Sequence, residues 1–454
     1  MRSELSRLVG SEHVLDAPDG SPYNRDAARR RGLSGAADAV VLPGSAQEVA
    51  DVLAWCYEHD VPLVPRGGGT GLTGGAVPTR GGVVCSLERL RAVRELDPAL
   101  WRIHPEAGVS TRDVQRLARE NGLMFAPDPG ASEQSQIGGN VATNAGGPHT
   151  LKYGVTGAWV SGLEVALAPG ELVQVGGWAA KDVAGYDLRS LLIGSEGTLG
   201  VITAVRLRLL PAPQAAHALL LLFASRREGC QAIAHILACG LRPSVLDFLD
   251  GETLAISGPA YPEPARIPPG AGFALIAEVD GSAREALEQR EELLRSLEGS
   301  MLSFHEPADQ RSLWRWRDGI NGAVAGVRGS KVAEDVAFPV ERLADGLERF
   351  REIAAGHGLS SCAWGHGGDG NVHANVLVDP ASERESAAAQ AVGEELMGVV
   401  AALGGSIAGE HGIGAAKSGR LSGQWPERAL ELHEQIKRAF DPKNLLNPGK
   451  KLAR

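Results

Sequence analysis

The spacing of apolar and polar residues predicts alternating helices and strands in the first half of the chain. Apolar positions recur at helical period after Ser45, which forms a helix-capping pattern with Glu48. Short apolar runs between turn residues indicate strands. In chain order, the pattern predicts a helix after Ser45, strands over 61–66 and 82–87, a helix over 111–121 and a strand over 200–211.

The second half mixes longer helices with strands. Pro211 and Pro213 interrupt the pattern, and we place a domain boundary there. Beyond it, the pattern predicts core strands over 219–225 and 273–279 and amphipathic helices over 340–356 and 383–403. The apolar stripes of these helices are typical of a protein core rather than of a binding surface.

Histidines gather in two glycine-rich segments towards the C-terminus. His366 and His373 flank a glycine-rich turn, so a hairpin there brings both imidazole rings to one point, and Asn375 shares a strand face with His373. Glu410 and His411 lie on a second bend that can reach the same point. Two imidazoles and a carboxylate are suited to a divalent metal ion, and the other histidine would move protons. From spacing alone, a hydrolytic metal centre fits equally well.

Charge and cysteine content exclude several classes of protein. A formal net charge of −10 without a basic run argues against nucleic-acid binding. The five cysteines form no C-x-x-C pair, which excludes an iron–sulfur cluster or zinc knuckle in this chain and favours a reducing compartment. There is no secretory-signal pattern and no apolar stretch near the ~18 residues of a spanning helix. We expect a cytoplasmic protein without a transmembrane segment.

Glycine makes up 59 of the 454 residues, and it is clustered. The segment from Gly69 to Gly74 matches the dinucleotide-binding pattern G-x-G-x-x-G, but that pattern requires a helix directly afterwards. Further glycines and Pro78 prevent such a helix, so we reject a Rossmann site. With the glycine-rich segments 127–147 and 184–203, this loop indicates a large ligand that carries phosphates and a planar ring.

These segments, in this order, resemble the FAD-linked oxidases of the vanillyl-alcohol oxidase fold. The motifs that carry the resemblance are PRGGGTGLTGG, the PDP…GGN…TNAGG stretch, GSEGTLG, HGGDGNVH, GEHGIG and DPKNLLNPGK. The last motifs are similar to the branch of D-lactate dehydrogenase, the glycolate oxidase catalytic subunit and D-2-hydroxyglutarate dehydrogenase.

The resemblance implies an α+β fold with two domains. Residues 1–212 are expected to form an FAD-binding domain of the p-cresol methylhydroxylase (PCMH) type with two subdomains. Residues 213–454 are expected to form a substrate- and metal-binding domain with an antiparallel sheet and helices, whose tail, 440–454, returns to the flavin.

The resemblance also implies the residues that contact FAD. The first glycine loop contains no histidine that could attach the flavin, so we expect non-covalent FAD. The residues expected at the pyrophosphate are Arg66, Gly67, Gly68, Gly69, Thr70 and Gly71. Those expected along the isoalloxazine and ribityl chain are Pro129, Ser132, Ser135, Gly139, Asn140 and Thr143. Those expected at the adenosine end are Glu196, Gly197, Gly200 and Ile202, and Asn447 is expected to approach the flavin from the tail.

The implied chemistry is oxidation of a D-2-hydroxy acid to the 2-oxo acid by hydride transfer to flavin N5. A divalent metal, usually zinc in this family, would lower the pKa of the substrate hydroxyl. The implied metal ligands are His366, His373 and Glu410, the implied base is His411, and the implied substrate contacts are Asn375, Arg317 and Lys331.

The substrate, the electron acceptor and the oligomeric state are left open. D-lactate, glycolate or a similar acid is expected. D-2-hydroxyglutarate is the alternative, although the spacing from Lys331 to Pro339 is longer than expected for that substrate. A non-redox flavoenzyme and a metal-dependent hydrolase are further alternatives. Electrons would leave through an iron–sulfur subunit, a quinone or an electron-transfer protein, which could hold the protein peripherally at a membrane. A homodimer is also open.

Overall fold

The computed structural model describes residues 1–452, and of Arg30 only the backbone. Within these residues the α-helices are α1 Arg2–Val9, α2 Ala46–Glu58, α3 Thr111–Glu120, α4 Ile137–Thr143, α5 Thr150–Tyr153, α6 Leu188–Leu192, α7 Arg226–Ala238, α8 Gly251–Ser257, α9 Ala283–Ser296, α10 Gln310–Arg328, α11 Leu343–Gly356, α12 Glu383–Ala402 and α13 Glu427–Phe440.

The strands of the same residues are β1 Val14–Leu15, β2 Ala39–Val41, β3 Leu63–Arg66, β4 Val83–Ser86, β5 Val93–Asp97, β6 Arg102–Pro105, β7 Leu123–Met124, β8 Val160–Leu167, β9 Glu171–Gly176, β10 Val201–Arg208, β11 Leu210–Pro211, β12 Ala215–Phe223, β13 Val245–Asp250, β14 Phe273–Gly281, β15 Ser303–His305, β16 Ser330–Ala337, β17 Ser361–His366 and β18 Asn371–Val378. The predicted α2, β3, β4, α3, β10, β12, β14, α11 and α12 are all present, with ends shifted by a few residues.

The chain divides into two compact units, and neither unit is continuous in sequence. Unit 1 contains 1–146, 155–212 and 411–454, and unit 2 contains 147–154 and 213–410. The predicted second domain, residues 213–454, thus differs from unit 2 at its C-terminal end, because 411–454 belong to unit 1. The reason is a set of tail contacts within unit 1, where Leu446 forms a bridge with Leu63 and the Asn447 N–H donates to the Leu63 carbonyl at 2.7 Å.

Residues 147–154, which lie within the predicted first domain, belong to unit 2. His149 Nε2 lies 3.0 Å from Glu278 Oε1, and both Lys152 and Tyr153 bond the carboxylate of Asp280. Both acids lie on β14. These polar contacts hold a short segment of the first half of the sequence against the sheet of unit 2.

Unit 1 contains two main sheets, as expected for two subdomains. The first has the order β1-β2-β4-β3, with β2, β4 and β3 parallel. The second is antiparallel, with the order β5-β6-β10-β8-β9. Each sheet packs on its own apolar cluster, one with α2 and the other with α3 and α4.

Unit 2 is built on a seven-stranded antiparallel sheet with the order β15-β12-β14-β13-β17-β18-β16. One face packs against α10 and α8 through an apolar cluster that includes Trp316, Ile320 and Leu254. Alternate residues of a strand share a face. The same face of the sheet therefore also carries polar residues, which lie beyond the end of this apolar cluster. Residues that are predicted to bind a metal lie at this polar end of the sheet.

The predicted fold class is confirmed by this arrangement of mixed sheets in unit 1 and an antiparallel sheet with helices in unit 2. Among the helices within residues 1–452, none combines the length and the apolar character needed to cross a bilayer.

Candidate metal and cofactor sites

The predicted histidine hairpin of unit 2 is present. β17 ends at His366 and β18 begins at Asn371, so the intervening glycines form the turn. Gly370 has φ +78°, and a side chain there would collide with the carbonyl of Phe338. Gly365 likewise lies directly against the backbone of Asn371. Glycine at these positions therefore allows the strands to approach closely enough to bring the two histidine rings together.

Three potential metal ligands converge beside this hairpin. Glu410 Oε1 lies 3.5 Å from Nε2 of His366 and also 3.5 Å from Nε2 of His373. The two imidazole rings are nearly perpendicular, with centroids 5.6 Å apart. Two nitrogens and one carboxylate oxygen that face a common point fit zinc or another divalent ion with open positions for a substrate.

A buried carboxylate fixes the orientation of His366. Asp247 is the cross-strand partner of His366, and its Oδ1 lies 2.6 Å from Nδ1 of the imidazole. A carboxylate only accepts hydrogen bonds, so Nδ1 carries the proton and Nε2 faces Glu410. Burial lowers the pKa of His366, but Asp247 and Glu410 outweigh burial and raise this pKa well above its usual value. Metal binding at Nε2 therefore competes with protonation.

The same carboxylate holds the predicted substrate arginine. Arg317 lies on α10, and its Nε donates to Asp247 Oδ2 at 2.8 Å. Burial alone would raise the pKa of Asp247, yet His366 and Arg317 outweigh it and hold the pKa well below its usual value. Besides Nε, the guanidinium offers two nitrogens that can form a bidentate pair with a substrate carboxylate. The ion pair of Arg317 with Asp247 is therefore a buried one and not a surface pair.

Lys331 and Asn375 meet further along the same sheet face. The Lys331 ammonium donates to the Asn375 side-chain oxygen and lies 4.4 Å from the centroid of the Trp364 ring. Asn375 is fully buried, and its amide donates to the backbone carbonyl of His373 at 2.6 Å. Asn375 thus orients Lys331, and direct contact of either residue with substrate stays a prediction.

Asp247 and Asp335 are functional candidates that sequence reasoning missed. Asp335 is the cross-strand partner of His373, and its Oδ1 lies 3.6 Å from His373 Nδ1. The two carboxylates lie on strands VLDFLD and SKVAEDVA, each of which carries two acidic residues. Acids at core positions of a strand were the available signal, because a buried carboxylate needs a partner.

In unit 1, the first two predicted cofactor loops are in direct contact. A side chain at Gly68 would collide with the carbonyl of Gln134, and one at Gly67 would lie 3.5 Å from Gln136 Oε1. Gly69 has φ +67° and lies against the guanidinium of Arg66. Glycine is therefore required at position 68 by the close approach of the second loop and at position 69 by this bend.

The third loop joins the other two at the short helix α4. The N–H of Glu196 donates to the carbonyl of Ala142 at 2.7 Å, and that of Gly194 donates to the carbonyl of Val141 at 2.9 Å. Helix α4 contains three predicted cofactor residues, Gly139, Asn140 and Thr143. The structure thus brings together three segments that lie far apart in sequence.

Several predicted cofactor side chains are used within the protein. Ser135 and Asn140 both bond the Thr111 hydroxyl, at 2.7 and 2.6 Å, and Thr143 Oγ1 donates to the Gly139 carbonyl. Thr111, which sequence reasoning missed, is therefore the anchor of this loop. Ile202 packs in the apolar core. Gly197 packs against Pro65, and Gly200 packs against Val165. Pro129 and Ser132 are half-buried. Thr70 and Gly71 lie in the first glycine loop, which is partly exposed.

Glu196 has a role that the sequence did not predict. Its carboxylate accepts hydrogen bonds from the N–H groups of Ile413, at 2.9 Å, and Gly414, at 2.6 Å. The Thr73 hydroxyl donates to the His411 carbonyl at 3.2 Å. The loop that begins with His411 is therefore fixed to the glycine loops of unit 1, and His411 itself follows Glu410 directly in the chain.

Two buried amide oxygens in these loops support a polar ligand. Asn447 donates to the carbonyls of Gly75 and Glu196, at 2.8 and 2.7 Å, but its Oδ1 has no hydrogen-bond partner among the described residues. Gln136 Oε1 has none either. Buried acceptors are normally paired. Together with the closely packed glycines, these oxygens fit a donor-bearing cofactor such as FAD.

Comparison with known proteins identifies both halves of the chain. Residues 37–176 match the family model of an FAD binding domain, and residues 212–451 match that of FAD linked oxidases, C-terminal domain. The glycolate oxidase subunit GlcD of Bacillus subtilis is 35% identical, over 100% of this chain and 97% of the relative. D-lactate dehydrogenase of Archaeoglobus fulgidus is 37% identical, over 90% of each.

Solved structures agree on the fold. p-Cresol methylhydroxylase with substrate bound superposes with a TM-score of 0.83 at 18% identity, covering 99% of this chain and 96% of that one. 4-Ethylphenol oxidase from Gulosibacter chungangensis gives a TM-score of 0.79 at 21% identity, with 100% and 96% covered. The chain therefore belongs to the FAD-linked oxidases and is an FAD-binding oxidoreductase.

Proposed function

We propose that the protein oxidises a D-2-hydroxy acid, such as D-lactate or glycolate, to the 2-oxo acid, with non-covalent FAD and a divalent metal. The observation that carries this proposal is the shared carboxylate of Asp247. It places a guanidinium suited to a substrate carboxylate beside a histidine suited to a metal ion. The names of the relatives, glycolate oxidase subunit and D-lactate dehydrogenase, agree with this substrate class.

The residues of the chain have distinct roles in the proposed reaction. Arg317 binds the substrate carboxylate, while His366, His373 and Glu410 hold the metal, which we propose to be zinc. His411 takes the proton of the 2-hydroxyl. When bound, the metal supplies a Lewis acid that lowers the pKa of that hydroxyl, and FAD supplies at N5 an acceptor for the hydride from C2.

Lys331 supports D-2-hydroxyglutarate as the second candidate substrate. It is a second cation on the same face of the sheet as the metal ligands, and its position over Trp364 fixes its direction. A dicarboxylate would use both cations, whereas lactate or glycolate would use Arg317 alone. Replacement of Lys331 by methionine should therefore impair only a dicarboxylate substrate.

Anaerobic mixing tests the reaction class and the substrate together. The purified, zinc-loaded protein is mixed with D-lactate, glycolate, D-2-hydroxyglutarate and the L-acids, and the visible flavin band is followed. Bleaching by one D-acid is the expected result. A yellow, zinc-loaded protein that no acid bleaches would favour the non-redox flavoenzyme, and a colourless one would favour a metal-dependent hydrolase.

The role of His411 is tested by His411→Ala. Flavin reduction should slow by about 10²–10⁴-fold, the range for removal of a general base, while the flavin absorbance and bound zinc persist. His235→Ala, which changes an exposed histidine on α7, is the control. Reduction at the native rate in His411→Ala would show that another group is the base.

The electrons of the reduced flavin require an external acceptor. The described cysteines are all unpaired, and four of the five are buried. We therefore propose a separate iron–sulfur subunit, a quinone or an electron-transfer protein as acceptor, at the cytoplasmic side of the membrane or in the cytoplasm. Co-purification with a Cys-rich protein would support the subunit, and full turnover of the isolated chain with a soluble quinone would contradict it.

A homodimer is a separate proposal, and sedimentation of the purified protein tests it.

A further inference from the structure

A buried carboxylate lies opposite each of the two histidines that are predicted to bind the metal. Asp247 lies opposite His366 across β13 and β17, and Asp335 lies opposite His373 across β16 and β18. The two acids are 2% and 1% exposed. In each pair, one carboxylate oxygen faces Nδ1 of the imidazole, at 2.6 Å for Asp247 and at 3.6 Å for Asp335.

The second oxygen distinguishes the two acids. Asp335 Oδ2 accepts hydrogen bonds from the N–H groups of Gly409 and Glu410, each at 3.0 Å. This acid therefore holds the backbone of Glu410, the third predicted metal ligand. Asp247 Oδ2 instead accepts Nε of Arg317 at 2.8 Å. Asp247 therefore joins a predicted metal ligand to the arginine that is suited to a substrate carboxylate. Asp335 instead bonds the backbone of Gly409 and Glu410 and the side chain of Asn371.

The two bonds of Asp247 need both of its oxygens. Arg317 Nε and His366 Nδ1 are both donors in this arrangement, and only a carboxylate offers an acceptor to each. An asparagine would keep one acceptor and direct its amide group towards the second donor. Replacement by asparagine thus disturbs the imidazole and the guanidinium together, with almost no change in volume.

We propose that Asp247 is a positioning residue that couples metal binding to binding of the substrate carboxylate. Its loss weakens both, whereas loss of Asp335 weakens metal binding alone. The substrate half of this inference rests on the proposed function of Arg317, and the metal half does not.

Glu278 provides a matched control for the connection between α10 and the sheet. It lies on β14, next to β13, is 7% exposed, and accepts Trp314 Nε1 at 3.0 Å. Trp314 precedes Arg317 by one helical turn, so Glu278→Gln alters a comparable bond between α10 and the sheet, together with the contact of Glu278 to His149. It does so without changing a bond to His366.

The test compares Asp247→Asn, Asp335→Asn and Glu278→Gln as FAD-loaded proteins. Zinc affinity is measured without substrate, by competition with a chelator, and circular dichroism and flavin absorbance verify folding. The zinc Kd should rise about 10–100-fold in both aspartate variants, as for outer partners of metal-bound histidines. It should stay within about 2-fold in Glu278→Gln.

Substrate affinity is then measured at saturating zinc. The rate of anaerobic flavin reduction is followed against the concentration of the acid that bleaches the native protein. The substrate Kd should rise at least about 10-fold in Asp247→Asn and stay near the native value in Asp335→Asn. A rise in the zinc Kd without a rise in the substrate Kd of Asp247→Asn would overturn the coupling, as would an unchanged zinc Kd.

Failure of the proposed function has a different signature. If no acid bleaches the native flavin, the substrate half falls together with the proposed reaction. The zinc comparison between Asp247→Asn and Glu278→Gln still decides whether Asp247 positions His366, because it needs no turnover.

Discussion

The two units build their sites by different means. In unit 1, the predicted cofactor residues lie on loops whose glycines pack against neighbouring backbone, as Gly68 does against Gln134. In unit 2, the predicted metal ligands and their carboxylate partners face each other across adjacent strands, as Asp247 and His366 do. A loop site depends on which glycines permit close contact, whereas a strand site depends on register. The two sites should therefore respond differently to substitution.

The largest effect is expected from a change at the strand site. His373→Ala removes one imidazole from the point where Glu410 meets both rings, so we expect the zinc Kd to rise by more than about 100-fold, beyond the range for outer partners. Flavin reduction should be lost with the metal, while FAD stays bound. Equilibrium dialysis and flavin absorbance measure the two effects, and His235→Ala serves as the exposed control. Retention of native zinc affinity would remove His373 from the ligand set.

A change in the loop of unit 1 should separate rate from metal binding. A side chain at Gly414, where φ is +52°, would collide with the backbone of Thr73, so Gly414→Ala shifts the loop that begins at His411. A displacement of about 1 Å can slow a reaction by 10²-fold. We expect slower flavin reduction and unchanged zinc affinity.

Gly419→Ala is the matched control for the loop, because its added methyl group meets nothing within 4 Å. Stopped-flow reduction and chelator competition on the two variants give the comparison. If Gly414→Ala weakens zinc as much as His373→Ala does, the loop and strand sites are not separable in the way described.

Asp247 and Asp250 lie on the same strand, β13, but their carboxyl groups have pKa values that are shifted in opposite directions. Asp247 is held charged by His366 and Arg317, whereas burial raises the pKa of Asp250 to about 7. Between pH ~4 and ~7, folded Asp250 keeps a proton that the unfolded chain has lost. The free energy of unfolding should therefore fall by up to a few kcal/mol as pH rises through this range.

The pH dependence is measured as urea midpoints of the native protein and Asp250→Asn at pH 5 and pH 8. The native midpoint should fall more than that of the variant, which has no proton to lose at this position. Parallel pH profiles would mean that Asp250 is charged at neutral pH, stabilised by the N–H groups of Thr253 and Ala363.

The smallest effect is expected on the outer face of α10. Gly322 is exposed, and an added methyl group there would meet nothing within 4 Å. Gly322→Ala should raise the free energy of unfolding by about 0.5–1 kcal/mol through lower chain entropy. Gly229→Ala, which would push a methyl group into the Phe273 ring, should do the opposite. Thermal melts distinguish the two, and a lower Tm in Gly322→Ala would contradict the prediction.

Local patterns predicted the elements, but partners distant in sequence could not be read from them. The hairpin of His366 and His373 was predictable because its turn and both strands are contiguous. Asp247 lies 119 residues before His366, and only the strand order of the folded sheet makes them neighbours. The role of Glu196 as an anchor for Ile413 and Gly414 escaped prediction for the same reason, because contacts between distant segments leave no local periodicity.

The division of the chain also bears on the order in which the protein can fold during synthesis. The edge of β3 is covered by Leu446, which is fully buried, and Asn447 bonds Leu63 and Gly75. Domains generally fold as the ribosome releases them. Unit 1 begins to emerge first, yet it lacks this edge until the segment around residue 447 has been made. Unit 2, apart from residues 147–154, is synthesised entirely within that interval. The cofactor-binding half is thus begun first and completed last.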